Sequence, residues 1–324
     1  MEPVVSVIIP VYNEEKYLSE CIDSLLVQDY PKEQMEWLFV DGNSTDRTRE
    51  ILSSFSEKYP DLIKVLSNVK KIAPAAMNIG INDAKGKYII RLDAHASYSS
   101  DYISKCVYYL ENTDADNVGG VATTKAKNFM GNCIAKMLSS RFGVGDSQFR
   151  IAGNSGYVDT VPFGAFRKEV FEKVGLFDES LIRSEDNDLN SRIRKAGGRI
   201  WLSDEIKFTY FCRDTVKGIL KMALLNGNAL FPTITKNSGG MRLRHYIPLF
   251  FFLFVCLFPL FSLFFKPLLY IYFSILILYF ALDFFFSFCV PKIRYGFVTF
   301  WLFPLFHLVY GLGSFISFFG IVLY

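Results

Sequence analysis

The chain has 324 residues, of which 51% are hydrophobic, and a formal net charge of +3 at neutral pH. Residues 247–324 hold 21 of the 33 phenylalanines and only four charged side chains, which together carry +2. The first 246 residues therefore carry a net charge of +1, which excludes the broad basic surface of a nucleic-acid-binding protein.

Apolar runs alternate with helical periodicity through the first hundred residues. The predicted strands are Val4–Pro10, Glu36–Val40, Ile63–Leu66 and Tyr88–Leu92. The predicted helices between them are Lys16–Gln28, a helix through Ile51 and Phe55, and Pro74–Gly86. Strands and helices that alternate at this spacing form right-handed βαβ units. The sequence therefore predicts an α/β fold, with a mixed, mainly parallel sheet and helices on both faces.

The pattern is less regular between residues 101 and 213. Asp101–Leu110, Arg167–Val174 and Glu185–Lys195 have helical spacing, whereas Val118–Ala122 and Tyr157–Val161 resemble strands. The intervening stretch 143–156 is rich in Gly, Asn and Ser and predicts a mobile loop near a site. We expect residues 1–213 to form one domain.

Residues 214–246 are predicted to be a juxtamembrane segment. Val216–Leu230 has an apolar side, with Lys217 and Lys221 opposite. Such a helix either lies on a membrane surface or closes the core of the α/β domain, and both alternatives remain open. A basic cluster follows, made of Lys236, Arg242, Arg244 and His245.

The apolar tail, residues 247–324, is predicted to be a transmembrane domain of about three helices. Its segments lie near 247–265, 268–290 and 296–324, separated at Lys266-Pro267 and at 291–294. At about 1.5 Å per residue the first just spans a membrane core of about 30 Å. The tight turn at Lys266-Pro267 leaves open that one of the first two segments is re-entrant. The basic cluster with Lys292 and Arg294 outweighs Lys266, which predicts a multi-pass protein with residues 1–246 in the cytoplasm.

Polar side chains follow three of the four predicted strands. Pro10, Tyr12 and Glu14 follow the first, Asp41 ends the second, and Asp93-Ala94-His95 ends the fourth. In open α/β sheets, ligands bind at the carboxyl ends of the strands. A carboxylate and an imidazole suit a divalent cation such as Mn²⁺ or Mg²⁺. Asp93 and His95 are therefore candidate metal ligands, although a plain polar turn would also explain them.

A further carboxylate is singled out by helical periodicity. Leu189 and Ile193 mark the buried stripe of the helix that starts at Glu185, and Asp186 lies three residues before Leu189 on the same side. Asp188 lies four residues before Arg192 and is predicted to form an outward-facing ion pair. An inward carboxylate at a helix start is typical of a general base facing a cleft, whereas an acidic first turn needs only the helix dipole.

Taken in order, these motifs resemble family-2 glycosyltransferases, which are inverting nucleotide-sugar enzymes with the GT-A fold. The matching stretches are 5–14, 40–46, 76–80 with 84–86, 91–95, 163–168 and 185–190. Together they cover nearly all of residues 4–205. Within this family, the Asp-Ala-His motif at residues 93–95 and the Phe-rich tail make the chain most similar to membrane-anchored bacterial exopolysaccharide transferases of the succinoglycan-biosynthesis type.

The resemblance implies a role for each group of residues. Those that would bind the nucleotide sugar are Pro10, Tyr12, Glu14, Asp41, Asn78, Arg91 and Asp93. Asp93 and His95 would hold the metal ion and diphosphate, and Asp186 would be the base. Those on the acceptor or sugar side would be Phe163, Gly164 and Glu185. His95 departs from the usual Asp-x-Asp motif, but an Asp-x-His variant occurs in the mucin-type GalNAc-transferases.

The implied function is a metal-dependent, inverting hexosyltransferase of the bacterial plasma membrane. It would move a sugar from a nucleotide sugar, with UDP-sugar as first candidate, to a polyprenyl-linked saccharide. The Gln-x-x-Arg-Trp motif of processive synthases does not follow residues 185–186, and about three spans are predicted, so we expect transfer of a single sugar. The alternatives are transfer to a polyprenyl phosphate and a non-catalytic subunit that binds nucleotide sugar.

Overall fold

The computed structural model describes residues 2–151, 153–262, 264–290 and 292–323. The chain forms two compact units, Met1–Thr123 with Ala152–Tyr210, and Thr124–Ile151 with Phe211–Tyr324. The boundary near residue 210 lies close to the one expected at 213, but residues 124–151 group with the C-terminal part. Four positions in the predicted loop and tail lie outside the described residues: Ala152, Leu263, Pro291 and Tyr324.

The first unit is built on a nine-stranded mixed sheet. Its strands are β1 Val5–Val11, β2 Met35–Asp41, β3 Ile63–Ser67, β4 Tyr88–Arg91, β5 Ala96–Tyr98, β6 Asn117–Lys125, β7 Gly156–Tyr157, β8 Ala165–Arg167 and β9 Ile200–Phe211. The order is β3-β2-β1-β4-β8-β6-β9-β5, and β7 pairs with β9. Strands β1 to β4 pair in parallel, whereas β4 with β8, β6 with β8, β5 with β9 and β7 with β9 are antiparallel. The predicted mixed α/β fold is confirmed, and the strands that pair in parallel, β3, β2, β1 and β4, lie next to one another at one end of the sheet.

Helices flank this sheet and make up most of the second unit. They are α1 Leu18–Leu26, α2 Thr48–Lys58, α3 Ala73–Asp83, α4 Tyr102–Asn112, α5 Phe129–Leu138, α6 Arg141–Val144, α7 Glu169–Val174, α8 Glu185–Lys195, α9 Val216–Asn228, α10 Leu230–Lys236, α11 Leu243–Ser262, α12 Pro267–Phe284 and α13 Gly296–Phe318. The helices of the first unit that were predicted from periodicity are present, with ends shifted by a few residues. In the stretch expected to be a mobile loop, α6 occupies the first residues and β7 begins at the end.

Burial in the core explains why the sequences of β1 and β2 are continuous apolar runs. Both are covered on their two faces, so that Val7, Ile8 and Trp37 are fully buried, as expected for parallel strands between helix layers. The long strand β9 was not predicted, because Ser203, Asp204 and Glu205 interrupt its apolar alternation. Pairing with neighbouring strands decides its conformation.

Gly120 lies where β6 passes close to β9. An added Cβ atom would lie 2.2 Å from the carbonyl oxygen of Ile206. Because backbone must move to admit it, we expect Gly120→Ala to lower the free energy of unfolding by about 1–3 kcal/mol. Thermal unfolding in detergent measures this effect. Gly156→Ala is the matched control, since an added Cβ there meets nothing within 4 Å. Equal stability of the two variants would contradict the prediction.

Among the described residues of the second unit, three helices are long and apolar enough to cross a membrane. These segments are Leu243–Phe261, Pro267–Cys289 and Ile293–Phe318, and the second includes a π-helical turn at Phe285–Cys289. The three predicted apolar segments are therefore present as helices. Length and composition are what mark them as candidate spans.

Helix α9 packs against α13 within the second unit. A Cβ added at Gly227 would lie 1.9 Å from the carbonyl oxygen of Tyr310, and one at Gly313 would lie 2.1 Å from that of Leu224. The side chain of Asn228 donates to the carbonyl oxygen of Ile321 at 2.8 Å. The buried face of α9 is thus covered, within the second unit, by a tail helix. A position at the membrane surface stays a prediction.

Candidate active site

The carboxyl ends of β1, β2 and β4 meet at one edge of the sheet. Val11 is paired with Asp41 in the register of β1 and β2, and Ile8 is paired with Arg91 in that of β1 and β4. A cleft opens at this edge. The predicted site residues that line it are Pro10, Tyr12, Glu14, Arg91, Asp93 and His95. The parallel half of the sheet thus brings together two motifs that are about 80 residues apart in sequence.

The other wall of the cleft is the segment between β3 and α3, which sequence reasoning missed. Lys71 has a φ of +58°, and its Nζ lies 5.8 Å from the centre of the Tyr12 ring. The amide of Asn68 donates to a backbone carbonyl just before α3 at 2.9 Å and holds the turn. Ala73, the first residue of α3, lines the cleft. A lysine beside a helix N-terminus suits an anion, and Pro74 was the available sequence signal for that helix start.

Asp41 lies at the end of β2 but its carboxylate is engaged locally. Its Oδ1 accepts from the hydroxyl of Ser44 at 2.6 Å, and its Oδ2 accepts from Nε of Arg49 at 3.0 Å. The residue is 5% exposed, and the neighbouring Gly42 lines the cleft. In this structure Asp41 shapes the turn below the cleft, while its predicted contact with base or ribose stays a prediction.

Glu14, His95 and Asp93 lie in a row inside the cleft. Nδ1 of His95 lies 3.2 Å from Oε1 of Glu14, and Nε2 lies 3.9 Å from Oδ2 of Asp93. Because a carboxylate only accepts hydrogen bonds, this contact favours a proton on Nδ1 of His95, and Nε2 lies on the side of Asp93. Glu14 is therefore placed to orient the imidazole, in the manner of the carboxylates that support metal-binding histidines.

The residues present fit a divalent cation shared with a bound phosphate group. Among the described residues, no group of three or more His, Cys, Asp and Glu side chains could hold a metal ion by itself. Asp93 and His95 supply two donors of suitable chemistry. Mg²⁺ sites commonly use one or two protein carboxylates and take further ligands from substrate phosphates and water. Two protein donors that line a cleft together with Lys71 match that arrangement.

Asp186, at the start of α8, lies beside the buried guanidinium of Arg91. Its Oδ1 accepts from Nη1 of Arg91 at 2.6 Å, and Oε1 of Glu185 accepts from the same nitrogen at 3.1 Å. The chain enters α8 through Ser184, whose φ of +65° is left-handed. The Asp186 side chain keeps 26% of its surface exposed, so the carboxylate is both anchored and accessible.

The surroundings of Asp186 change its acidity. Burial raises the pKa of Asp186 to about 7, with Glu185 and Asp93 adding to the rise and the Arg91 guanidinium opposing it. A carboxyl group with a pKa near neutrality can accept a proton at physiological pH and hold it. This property is typical of a general base.

Asp188 differs from the expectation. The ion pair with Arg192 is present, with Oδ2 2.8 Å from Nη2, but Asp188 is 3% exposed and does not face outward. Nη1 and Nη2 of Arg192 also donate to three backbone carbonyls of residues 174–176. The loop after α7 therefore covers a face of α8 that single-helix periodicity assigned to solvent.

Three residues implied by the resemblance lie in packed positions instead of on the cleft surface. The Asn78 carboxamide makes two hydrogen bonds of 2.9 Å with the backbone of Phe177 and so fixes the loop before α8. Phe163 is buried with its ring 5.0 Å from that of Phe208. The carbonyl of Gly164 accepts from the backbone N–H of Arg91 at 3.0 Å. These contacts give all three a structural role.

Comparisons with known proteins show the family of this chain. The model of the family described as glycosyl transferase family 2 matches residues 6–175. A relative from Methanococcus voltae, dolichyl N-acetyl-alpha-D-glucosaminyl phosphate 3-beta-D-2,3-diacetamido-2,3-dideoxy-beta-D-glucuronosyltransferase, is 32% identical over 69% of this chain and 72% of its own. Succinoglycan biosynthesis protein ExoA from Rhizobium meliloti (strain 1021) is 30% identical over 75% of this chain and 74% of its own.

A solved structure extends the similarity of fold. Mannosyltransferase PcManGT from Pyrobaculum calidifontis, in complex with GDP-Man and Mn²⁺, superposes with a TM-score of 0.62 at 18% identity. The match covers 98% of this chain and 87% of that one. At this identity the likeness concerns the fold.

Proposed function

Since the chain belongs to glycosyl transferase family 2, we propose that it is an inverting enzyme that moves one sugar from a nucleotide sugar to a lipid-linked saccharide. One observation carries this proposal. A carboxylate–imidazole pair, Asp93 and His95, and a carboxylate with a raised pKa, Asp186, lie on opposite sides of one buried arginine, Arg91.

The donor would occupy the cleft between β1, β4 and α3. Tyr12 is 46% exposed and offers a ring face, against which a nucleobase can stack. Lys71 and the N-terminus of α3 offer positive charge to a diphosphate. UDP-sugar remains our first candidate for the donor.

Asp93 and His95 would hold the divalent cation, Mn²⁺ or Mg²⁺, and Glu14 would orient His95. Bound there, the ion would offset the charge that builds on the departing nucleoside diphosphate. The Mn²⁺ in the solved mannosyltransferase of the same fold supports this assignment.

Asp186 would act on the acceptor. Its carboxylate would take the proton from the acceptor hydroxyl while that oxygen attacks the anomeric carbon from the face opposite the diphosphate. The new bond then forms with inversion, the bond to the diphosphate oxygen breaks, and the proton stays on Asp186. Glu185 lies next to it and would contact the sugar or acceptor.

The acceptor is proposed to be a polyprenyl-linked saccharide. The relative from Methanococcus voltae is named for a dolichyl phosphate-linked amino sugar, and the part of the second unit that the structure describes offers three candidate membrane helices. The basic residues that flank these helices support a cytoplasmic catalytic unit at a plasma membrane. The succinoglycan relative supports a role in bacterial exopolysaccharide synthesis.

A panel of radiolabelled UDP-, GDP- and dTDP-sugars, with membrane lipid extract as acceptor, tests the function. We expect one UDP-sugar to label a lipid-extractable saccharide that is one sugar longer than its acceptor. Labelled polyprenyl monophosphate would favour the first alternative. If no donor in the panel labels any acceptor while nucleotide sugars still bind, the chain would be a non-catalytic subunit.

A further inference from the structure

Arg91 occupies the centre of the candidate site and is itself almost fully buried. It ends β4, its residue surface is 5% exposed, and its backbone N–H donates to the carbonyl of Gly164 in the neighbouring chain segment. The base of this side chain is therefore held by the sheet. Its guanidinium extends toward the start of α8.

Three carboxylates share this one guanidinium. Nη1 contacts Asp186 at 2.6 Å and Glu185 at 3.1 Å, while Nε faces Oδ1 of Asp93 at 3.5 Å. Among the described atoms Nε makes no hydrogen bond, so its approach to Asp93 is electrostatic. One cation facing three carboxylates leaves an excess of negative charge, which favours a proton on one of them.

From this arrangement we infer that Arg91 is a positioning residue for the proposed transfer, and that it acts through Asp186 and Asp93 instead of through the nucleotide sugar. Its rigid guanidinium contacts both Asp186, the proposed base, and Asp93, a proposed metal ligand. This inference rests on the proposed function and replaces the substrate-binding role that the family resemblance implied for Arg91.

The planar geometry of arginine suits this task better than the point charge of lysine. A guanidinium has five N–H donors in a fixed fork, so two sides of the group can contact different carboxylates together. An ammonium group in the same place would keep the charge but could not hold Asp186 and Asp93 at their present separation. Geometry and charge can therefore be separated experimentally.

The charges around Asp186 predict opposite effects on its pKa for two neutral substitutions, Arg91→Gln and Glu185→Gln. Arg91 lowers the pKa of Asp186, and Glu185 and Asp93 raise it beyond the effect of burial. Removing the positive charge should therefore raise this pKa further. Removing the Glu185 charge should lower it.

The test is the pH dependence of kcat/KM for the full-length protein in detergent. It measures UDP release from the panel's reactive UDP-sugar with lipid extract as acceptor. The acidic limb of this profile reports the base of the free enzyme. We expect Arg91→Gln to move the limb to higher pH by about one to three units, the usual effect of losing one adjacent opposite charge. Glu185→Gln should move it to lower pH. Shifts in the same direction, or no shift, would overturn the inference.

Two further variants keep the outcome decisive. Arg91→Lys should retain the wild-type limb but lose at least about 10-fold in kcat; wild-type kcat in this variant would also overturn the inference, even if Arg91→Gln does not fold. Arg192→Gln is the matched control, because Arg192 also pairs with a carboxylate of α8. It should lower thermal stability without moving the limb, and a shifted limb would assign the effect to general disturbance of α8.

Asp186→Asn separates the inference from the function on which it rests. If Asp186→Asn removes the acidic limb while Arg91→Gln leaves it in place, Asp186 is the base and the inference about Arg91 is wrong. If Asp186→Asn keeps the wild-type profile, the assignment of Asp186 as the base and the inference about Arg91 are both wrong.

Discussion

Asp186→Asn is expected to reduce kcat by about 10²–10⁴-fold, the usual contribution of a general base. The amide keeps the shape of the side chain but cannot accept the proton of the acceptor hydroxyl. The wild-type rate should rise with pH as Asp186 loses its proton near its raised pKa of about 7, because only the ionised carboxylate is a base. The residual rate of the variant should lack this acidic limb.

Asp188→Asn is the matched control for this substitution. Asp188 lies two residues further along α8 and is buried against Arg192. Its loss should lower the unfolding temperature and leave the pH profile unchanged. Sugar transfer by membrane-inserted Asp186→Asn at the wild-type rate would refute the base assignment. It would favour transfer to a polyprenyl phosphate, whose acceptor oxygen is already anionic and needs little help from a base.

Removal of divalent cations is expected to produce the second large effect. Transfer should fall by at least about 10²-fold in EDTA, since a Lewis acid supplies several kcal/mol to the leaving diphosphate. Added Mn²⁺ should restore it. Asp93→Asn should show the same loss in the presence of Mn²⁺, together with weaker Mn²⁺ binding in an electron paramagnetic resonance titration with UDP. Full activity in EDTA would remove the metal role of Asp93 and His95.

His95→Gln distinguishes direct metal ligation from a contact with the diphosphate. If Nε2 of His95 binds the ion, the variant should bind Mn²⁺ more weakly at saturating UDP, by about 10–100-fold or more. If His95 contacts only the diphosphate, UDP affinity should fall while Mn²⁺ affinity at saturating UDP is kept. The position of Nε2 on the side of Asp93, with Glu14 behind the ring, leads us to expect the first result.

Local sequence patterns were sufficient for much of the fold. The apolar runs of β1, β2 and β4 and the helical spacing of α1, α3 and α8 depend on side chains a few residues apart, so they could be recognised without knowledge of distant contacts. The same holds for the three apolar tail helices, whose length and composition are local properties. Strand β9 was missed because its pairing partners, distant in sequence, determine it.

In the candidate site, too, some features follow from local sequence and others depend on contacts between distant residues. That Asp93 and His95 follow a buried strand, and that Asp186 lies on the inner side of a helix start, could be inferred from the sequence because strand ends and helix faces are set by nearby residues. The sequence could not indicate that Arg91 would meet Asp186 and Glu185, which are more than 90 residues away. Nor could it indicate that Asn78 would be occupied by the backbone of Phe177.

By itself, then, the sequence determined which elements form, in what order, and which of their ends carry carboxylates and imidazole. Only the tertiary structure decided which carboxylates contact the buried guanidinium of Arg91 and which polar side chains are hydrogen-bonded to loops. It also decided that residues 124–151 join the second unit. The physical reason is that periodicity reports the environment of one element at a time. Charge coupling and burial depend on elements that the chain brings together only when it folds.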